Sequence, residues 1–222
     1  KISIVLSADK PLGQEFFAQY PFDVKLVEND LDLLKVARIE KADLVVLDRL
    51  DNAAEFVTLL GGFCKVVTFE DLGTGAEEAD LLVSDLYENA RVPAERQLSG
   101  VENAILAPSF ETIPRVHHFN EVAEEVLVLF GGTDPAGLAH KALAALEAIK
   151  FAGQVVVVRG LGADLVDPKG YNKLRVKVLS NVKNMPAVME TADLALSSAG
   201  RTITELSSMG VPTICMAQNA KE

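Results

Sequence analysis

Residues 192–216 read ADLALSSAGRTITELSSMGVPTICM, and few folds accept such a stretch. The apolar run Asp193 to Ser198 predicts a buried strand, and Ser198-Ala199-Gly200 a tight turn. A helix is predicted from about Arg201, and a second strand over Pro212 to Met216. Strand, glycine turn, helix and strand make a βαβ unit, whose strands run parallel. Such a unit sets the helix N-terminus, with its outward N–H groups and positive dipole end, beside the carboxyl ends of the strands. That is a seat for a phosphate or diphosphate.

The rest of the chain repeats this alternation. Strands are predicted at Ile2 to Ser7, Asp23 to Val27, Asp43 to Asp48, Lys65 to Phe69 and Asp80 to Ser84, with a short last one over Ala104 to Ala107. Helices are predicted near Gly13 to Tyr20, through Leu31, Leu34 and Ala37 to about Lys41, and around Phe56, Leu59 and Leu60 up to Gly61-Gly62. From Tyr87 to Leu98 the sequence turns polar and loses its period. Residues 112–124 show neither period and are read as the domain boundary. Beyond it the pattern restarts: strands at Val126 to Phe130, Gln154 to Arg159 and Leu174 to Leu179, helices at Leu138 to Ile149 and Pro186 to Thr191. The expected fold is α/β, with two Rossmann-like domains, 1–115 and 122–222, facing a cleft.

Composition limits the partners. The net charge of −11 argues against nucleic acid or an anionic membrane surface. It leaves room for a nucleotide held by backbone amides. No apolar run approaches the roughly 20 residues needed to span a bilayer, and the opening strand is no signal peptide. Two cysteines, Cys64 and Cys215, suit a reducing compartment, and the cytoplasm is expected. There is no CxxC, no His pair at ligand spacing and no DxD motif placed to hold a metal, so neither a metal nor another cofactor is expected.

Several residues are candidates for chemistry. Gly131, Gly132 and Thr133, in FGGTDP, follow a strand and precede a helix, where glycines and amides can wrap an anion. The same turn reads equally well as an ordinary βα loop with a helix start at Asp134-Pro135. Ser198, Gly200, Arg201 and Thr202 form a second cradle, or merely a capped helix. Glu205, one turn into that helix, is either a carboxylate complementing the dipole or the acceptor for both hydroxyls of a ribose. Gln218 and Asn219 follow the last strand at its carboxyl end, where open α/β sheets bind ligands. In the first half Asp48 and Arg49 end a strand facing the expected cleft, with Asp48 a base or a helix cap. Glu70 and Asp71 are a similar pair before Gly73. His117 and His118 fall in the linker, and His140 within a helix.

With those residues in place, FGGTDP and ADLALSSAGRTITELSSMGVPTICMAQNAKE resemble the carboxyl half of GT-B-fold nucleotide-sugar proteins. The nearest resemblance is to predicted glycosyltransferases of spore-coat polysaccharide synthesis and to the UDP-sugar hydrolase of pseudaminic acid synthesis. DLVVLDRLDN and VVTFEDLGTGAEEADLLVSDLY resemble first-half stretches of the same group. The resemblance is strongest over 125–222. It implies that Gly131, Gly132 and Thr133 lie near the donor phosphates or the hinge, and that Ser198 to Thr202 cradle the diphosphate. It further implies that Glu205 holds the ribose, and that Gln218 and Asn219 contact the sugar.

The implied partner is a nucleoside-diphosphate sugar, UDP-linked, whose anomeric carbon–oxygen bond is broken by transfer or hydrolysis; the candidate base within this chain is Asp48. Two alternatives stay open: a UDP-sugar 2-epimerase of the same fold, and a non-catalytic nucleotide-sugar-binding module. Both ends of the chain read as truncated. The relatives' amino-terminal glycine-rich loop, with a histidine that acts on the anomeric centre, would precede Ile2.

Overall fold

The computed structural model describes residues 1–87, 89–111 and 120–219. The chain divides into two compact units, Lys1–Ala104 and Ile105–Glu222. His117 and His118, with most of the linker expected at 112–124, lie outside the described residues. Among the described residues no helix is long and apolar enough to cross a membrane.

The first unit carries β1 (Ser3–Ser7), α1 (Pro11–Phe17), β2 (Asp23–Val27), α2 (Asp30–Ile39), β3 (Leu44–Asp48), α3 (Ala54–Gly61), β4 (Lys65–Phe69), β5 (Leu81–Ser84) and β6 (Gln97–Ser99). β1 and β2 form one parallel sheet, and β3-β4-β5-β6 another. Helix α2 starts where the sequence directs it, because the Asn29 side chain accepts from the Asp32 amide at 3.0 Å. Its Ala37 packs with Phe56, Val57 and Leu60 of α3 over Leu47 and Val66. Two local expectations are corrected. The last strand is β6, within the stretch whose period is lost, and Ala104 to Ala107 is irregular. Ala104 to Ala107 belongs to no sheet, and its Leu106 packs with Phe110 into the core of the second unit. Apolar residues there fill a core instead of joining a sheet.

The second unit carries β7 (Glu125–Leu129), α4 (Leu138–Ala148), β8 (Gln154–Arg159), β9 (Arg175–Ser180), α5 (Met185–Met189), β10 (Leu194–Ser197), α6 (Thr202–Ser208) and β11 (Thr213–Cys215). Its five strands are all parallel, in the order β11-β10-β7-β8-β9. Both faces are covered, which explains why Val126 to Leu129 of β7 are all apolar instead of alternating. Val126 and Val128 face α4 through Leu143 and Leu146. Leu127 and Leu129 face α5 and α6 through Met189 and Leu206. Strand order runs outward from β7 to β8 and β9, then restarts on the other side with β10 and β11. The reversal falls between β7 and β10, and ligands of open α/β sheets settle at the carboxyl ends of the strands at such a point.

Candidate functional site

Three expected segments converge at that reversal. The FGGTDP turn leaves β7, the Ser198–Thr202 turn leaves β10 beside it, and Gln218-Asn219 follows the adjacent β11. Gln218 donates its side-chain amide to the carbonyl oxygen of Phe130 at 2.9 Å, tying the end of the last strand to the glycine turn. Asn219 is exposed.

The glycine turn is open on its outer side. Gly131 has φ of 75°, a left-handed conformation that suits glycine, and a Cβ on Gly131 or Gly132 would meet nothing within 4 Å. Its inner side is tight: a Cβ on Gly160 would lie 2.3 Å from the carbonyl oxygen of Gly131 and 2.4 Å from that of Gly132. Gly160, unremarked in the sequence, is therefore what lets the loop after β8 lie against the turn. The Gly162 amide also donates to the Gly132 carbonyl at 2.9 Å. The start of α4 is occupied by protein: Asp134 accepts from the amides of Leu138 and Ala139 at 2.8 and 2.9 Å. The helix itself starts at Leu138, with Gly137 before it, later than the start at Asp134-Pro135 that the sequence offered. A cavity of about 20 Å³, space on the scale of one water, lies under the turn against His140 and Arg159. His140 meets the Tyr171 hydroxyl through Nδ1 at 2.7 Å.

The second turn differs. No side chain caps α6, so Ser198 is not its cap. Ser198 is buried, Gly200 and Thr202 are half-buried, and Arg201 is exposed. Ser197 is fully buried, and its hydroxyl has no hydrogen-bond partner among the described residues. Glu205 sits half-buried within α6, and burial pushes its carboxyl above the ordinary range. This is a carboxylate set down in a partly apolar place at the edge of the expected cradle.

In the first unit Asp48 stands exposed at the carboxyl end of β3. Its neighbour Arg49 is engaged internally: Nη1 meets Asp30 at 2.7 Å, Nε donates to Asn52 at 2.9 Å, and the guanidinium lies 4.9 Å over the Phe56 ring. Glu70 and Asp71 are buried structural acceptors, which their sequence did not disclose. Asp71 accepts from the Asn52 side chain at 2.8 Å and the Gly73 amide at 2.9 Å. Glu70 accepts from the Ser84 hydroxyl at 2.9 Å and the Asp85 amide at 3.1 Å; burial first, then the adjacent Asp85, raises its pKa.

A five-stranded parallel sheet with glycine turns gathered at its reversal defines a Rossmann-like domain of the GT-B type. The comparisons agree. Residues 126–221 match the glycosyltransferase family 28 C-terminal domain. The chain is 24% identical over 199 residues to the spore coat polysaccharide biosynthesis protein SpsG of Bacillus subtilis, covering 84% of this chain and 59% of that protein. It is 27% identical over 215 residues to the uncharacterized protein MJ1062 of Methanocaldococcus jannaschii, covering 88% of this chain and 44% of that protein. The chain thus spans about half the length of these curated relatives. Among solved structures it resembles MurG of Acinetobacter baumannii (TM-score 0.59, 13% identity, 98% of this chain and 71% of that one). It also resembles Arabidopsis thaliana UGT89C1 complexed with UDP-L-rhamnose (TM-score 0.56, 12% identity, 98% and 72%). Residues 126–221 are thus similar to the carboxyl-terminal domain of glycosyltransferase family 28, and the fold is of the GT-B kind.

Proposed function

We propose that the second unit binds a UDP-sugar, and that the whole protein breaks the bond between the anomeric carbon and the diphosphate. The observation that carries this reading is Glu205: a half-buried carboxylate one turn into the helix after β10, whose pKa burial raises. Both ribose hydroxyls donating to it would repay the lost hydration. Gly131, Gly132 and Thr133 on one side, with Ser198, Gly200, Arg201 and Thr202 on the other, would hold the diphosphate through main-chain N–H groups. Gln218 and Asn219 border the same edge, on the sugar side. UDP is favoured over other nucleotides by the UDP-L-rhamnose carried by a protein of the same fold.

In the reaction the anomeric carbon–oxygen bond breaks and its electron pair leaves with the diphosphate, whose growing charge the amide dipoles stabilise. An incoming hydroxyl oxygen bonds to the anomeric carbon and gives its proton to a base. Asp48 is the base proposed from this chain. Transfer to an acceptor hydroxyl in cell-surface or spore-coat polysaccharide synthesis is the preferred form, with SpsG as the similar protein. Hydrolysis needs only water as the acceptor.

Calorimetry with UDP, GDP, CMP and ADP tests the binding half. UDP is expected to bind best, and failure of all four to bind would overturn it. Product analysis of the intact enzyme with UDP-sugars tests the other half: released UDP with a glycoside or free sugar supports it, and a changed stereocentre with UDP still attached refutes it.

A further inference from the structure

The net charge of −11 hides an uneven distribution. From Pro168 to Met189 the sequence holds Lys169, Lys173, Arg175, Lys177 and Lys183 and no carboxylate. All five are exposed. In the first unit Lys1, Lys25, Lys35, Arg49, Lys65 and Arg91 each meet a carboxylate at 2.6 to 3.4 Å. Among the described residues Lys169, Lys173, Arg175 and Lys177 meet none. The one acid at the border of the stretch, Asp167, is turned back on the main chain, where it accepts from the Lys169 amide at 2.9 Å. Unpaired cations gathered in an acidic chain make a local field that draws anions from solution.

The cations follow β9, an open edge of the five-stranded sheet. Lys169 lies in the helical turn Pro168–Tyr171, and Lys173 on the approach to the strand. Arg175 and Lys177, at alternate positions, share one face about 7 Å apart, while Val176 and Val178 pack on the α4 side. The Arg175 guanidinium is steadied by the Ala152 carbonyl, to which Nη2 donates at 2.6 Å. Lys183 comes after the strand has ended at Ser180. The stripe thus runs toward the carboxyl ends of the strands, the end that carries the glycine turns. It finishes two strands, about 10 Å, from β7.

Blunting an open edge takes a charge or two on the strand itself. It does not call for Lys169, Lys173 and Lys183 off the strand, nor for a stretch emptied of carboxylates. The exposed positions of β9 are Arg175, Lys177 and Ser180, so the strand offers no apolar anchor for a bilayer. Nor does it offer an aromatic platform for stacked bases: Tyr171 is half-buried, and its hydroxyl is engaged by His140. Four of the five cations are lysines, point charges that impose no fixed geometry on an anion. A line of such charges suits a flexible, linear polyanion.

We propose that this stripe binds an acidic glycan, a linear saccharide bearing carboxylates or phosphates, and holds it along β9 with one end toward the glycine turns. In a clause that rests on the nucleotide-sugar reading above, the bound glycan is the tail of the acceptor, guided toward the edge where the sugar is transferred.

The test is calorimetry of the 222-residue chain with polygalacturonate and, as a neutral control, dextran. Polygalacturonate is expected to bind, more weakly as salt is raised, and dextran not to bind. Lys169→Gln, Lys173→Gln and Lys177→Gln combined are expected to lower the affinity at least about tenfold. Lys10→Gln, on the first unit, is expected to leave it unchanged. Failure of polygalacturonate to bind, or equal affinity in the triple variant, overturns the proposal. So does tighter binding of oligothymidylate or of phosphatidylglycerol vesicles through the same lysines, which would make the occupant a nucleic acid or a membrane. UDP titrations of the same samples keep the two readings apart. UDP binding without polygalacturonate binding overturns this inference alone, and the reverse overturns the nucleotide reading alone.

Discussion

Gln218 and Phe130, 88 residues apart in sequence, are joined by a 2.9 Å hydrogen bond from the glutamine amide to the main-chain carbonyl. The bond crosses from the segment after β11 to the turn after β7, past β10 between them. Its worth is that of a partly buried neutral hydrogen bond, about 0.5–1.5 kcal/mol. Gln218→Ala is expected to lower unfolding free energy by that amount in urea titration. Exchange of the amides of residues 131–133 should quicken in the same variant.

Glu205 gives a prediction with two opposite signs. Glu205→Gln removes a charge whose burial is unfavourable, so the free protein should melt at a higher temperature at neutral pH. The same variant loses charge-assisted hydrogen bonds to the ribose, and UDP affinity should fall by roughly 1–3 kcal/mol. Calorimetry reads the second and scanning calorimetry the first. Unchanged UDP affinity would count against the ribose assignment.

The pH dependence follows from the direction of the Glu205 shift. A carboxyl raised in the folded state binds its proton more tightly there than when unfolded. Its contribution to stability is therefore greatest at low pH and declines as pH rises from the unfolded glutamate value through the raised folded one. Hydroxyl donors favour the ionised form, so UDP affinity should rise with pH across that window and level off above it. Calorimetry at a series of pH values checks this, and Glu205→Gln should flatten the profile.

Gly160→Ala should act on the glycine turn from behind. The added methyl would fall 2.3 Å from the Gly131 carbonyl oxygen, so one of the two loops must move. Overpacking of this kind costs about 1–3 kcal/mol. Because the displaced loop carries Gly131 and Gly132, UDP binding should weaken along with stability. Gly61→Ala is the control, since a Cβ there meets nothing within 4 Å.

Ser197→Ala should be neutral or stabilising by up to about 1 kcal/mol, because the serine hydroxyl is fully buried without a partner among the described residues. Denaturant titration decides it, and a loss of stability would mean that the hydroxyl is satisfied in solution.

The sequence alone determined the pattern of elements and the identity of the turns. Period and glycine punctuation are local properties, so β7, α4, β8, β10 and α6 were legible to within a residue or two. So was the Rossmann-like class of the second unit, because strand, glycine turn and helix each show within a few residues. What the tertiary structure decided were the relations between distant groups. Ala104 to Ala107 looked like a strand because an apolar run has the same composition in a sheet as in a core, and only the packing of Leu106 with Phe110 separates the two. Glu70 and Asp71 read as a carboxylate pair at a strand end, and became buried acceptors once Asn52, Gly73 and Ser84 were brought to them. Gly160 showed its purpose only when the loop after β8 lay against the glycine turn. Strand order belongs to the same class, since it is set by which edges meet, and edges meet through space and not along the chain.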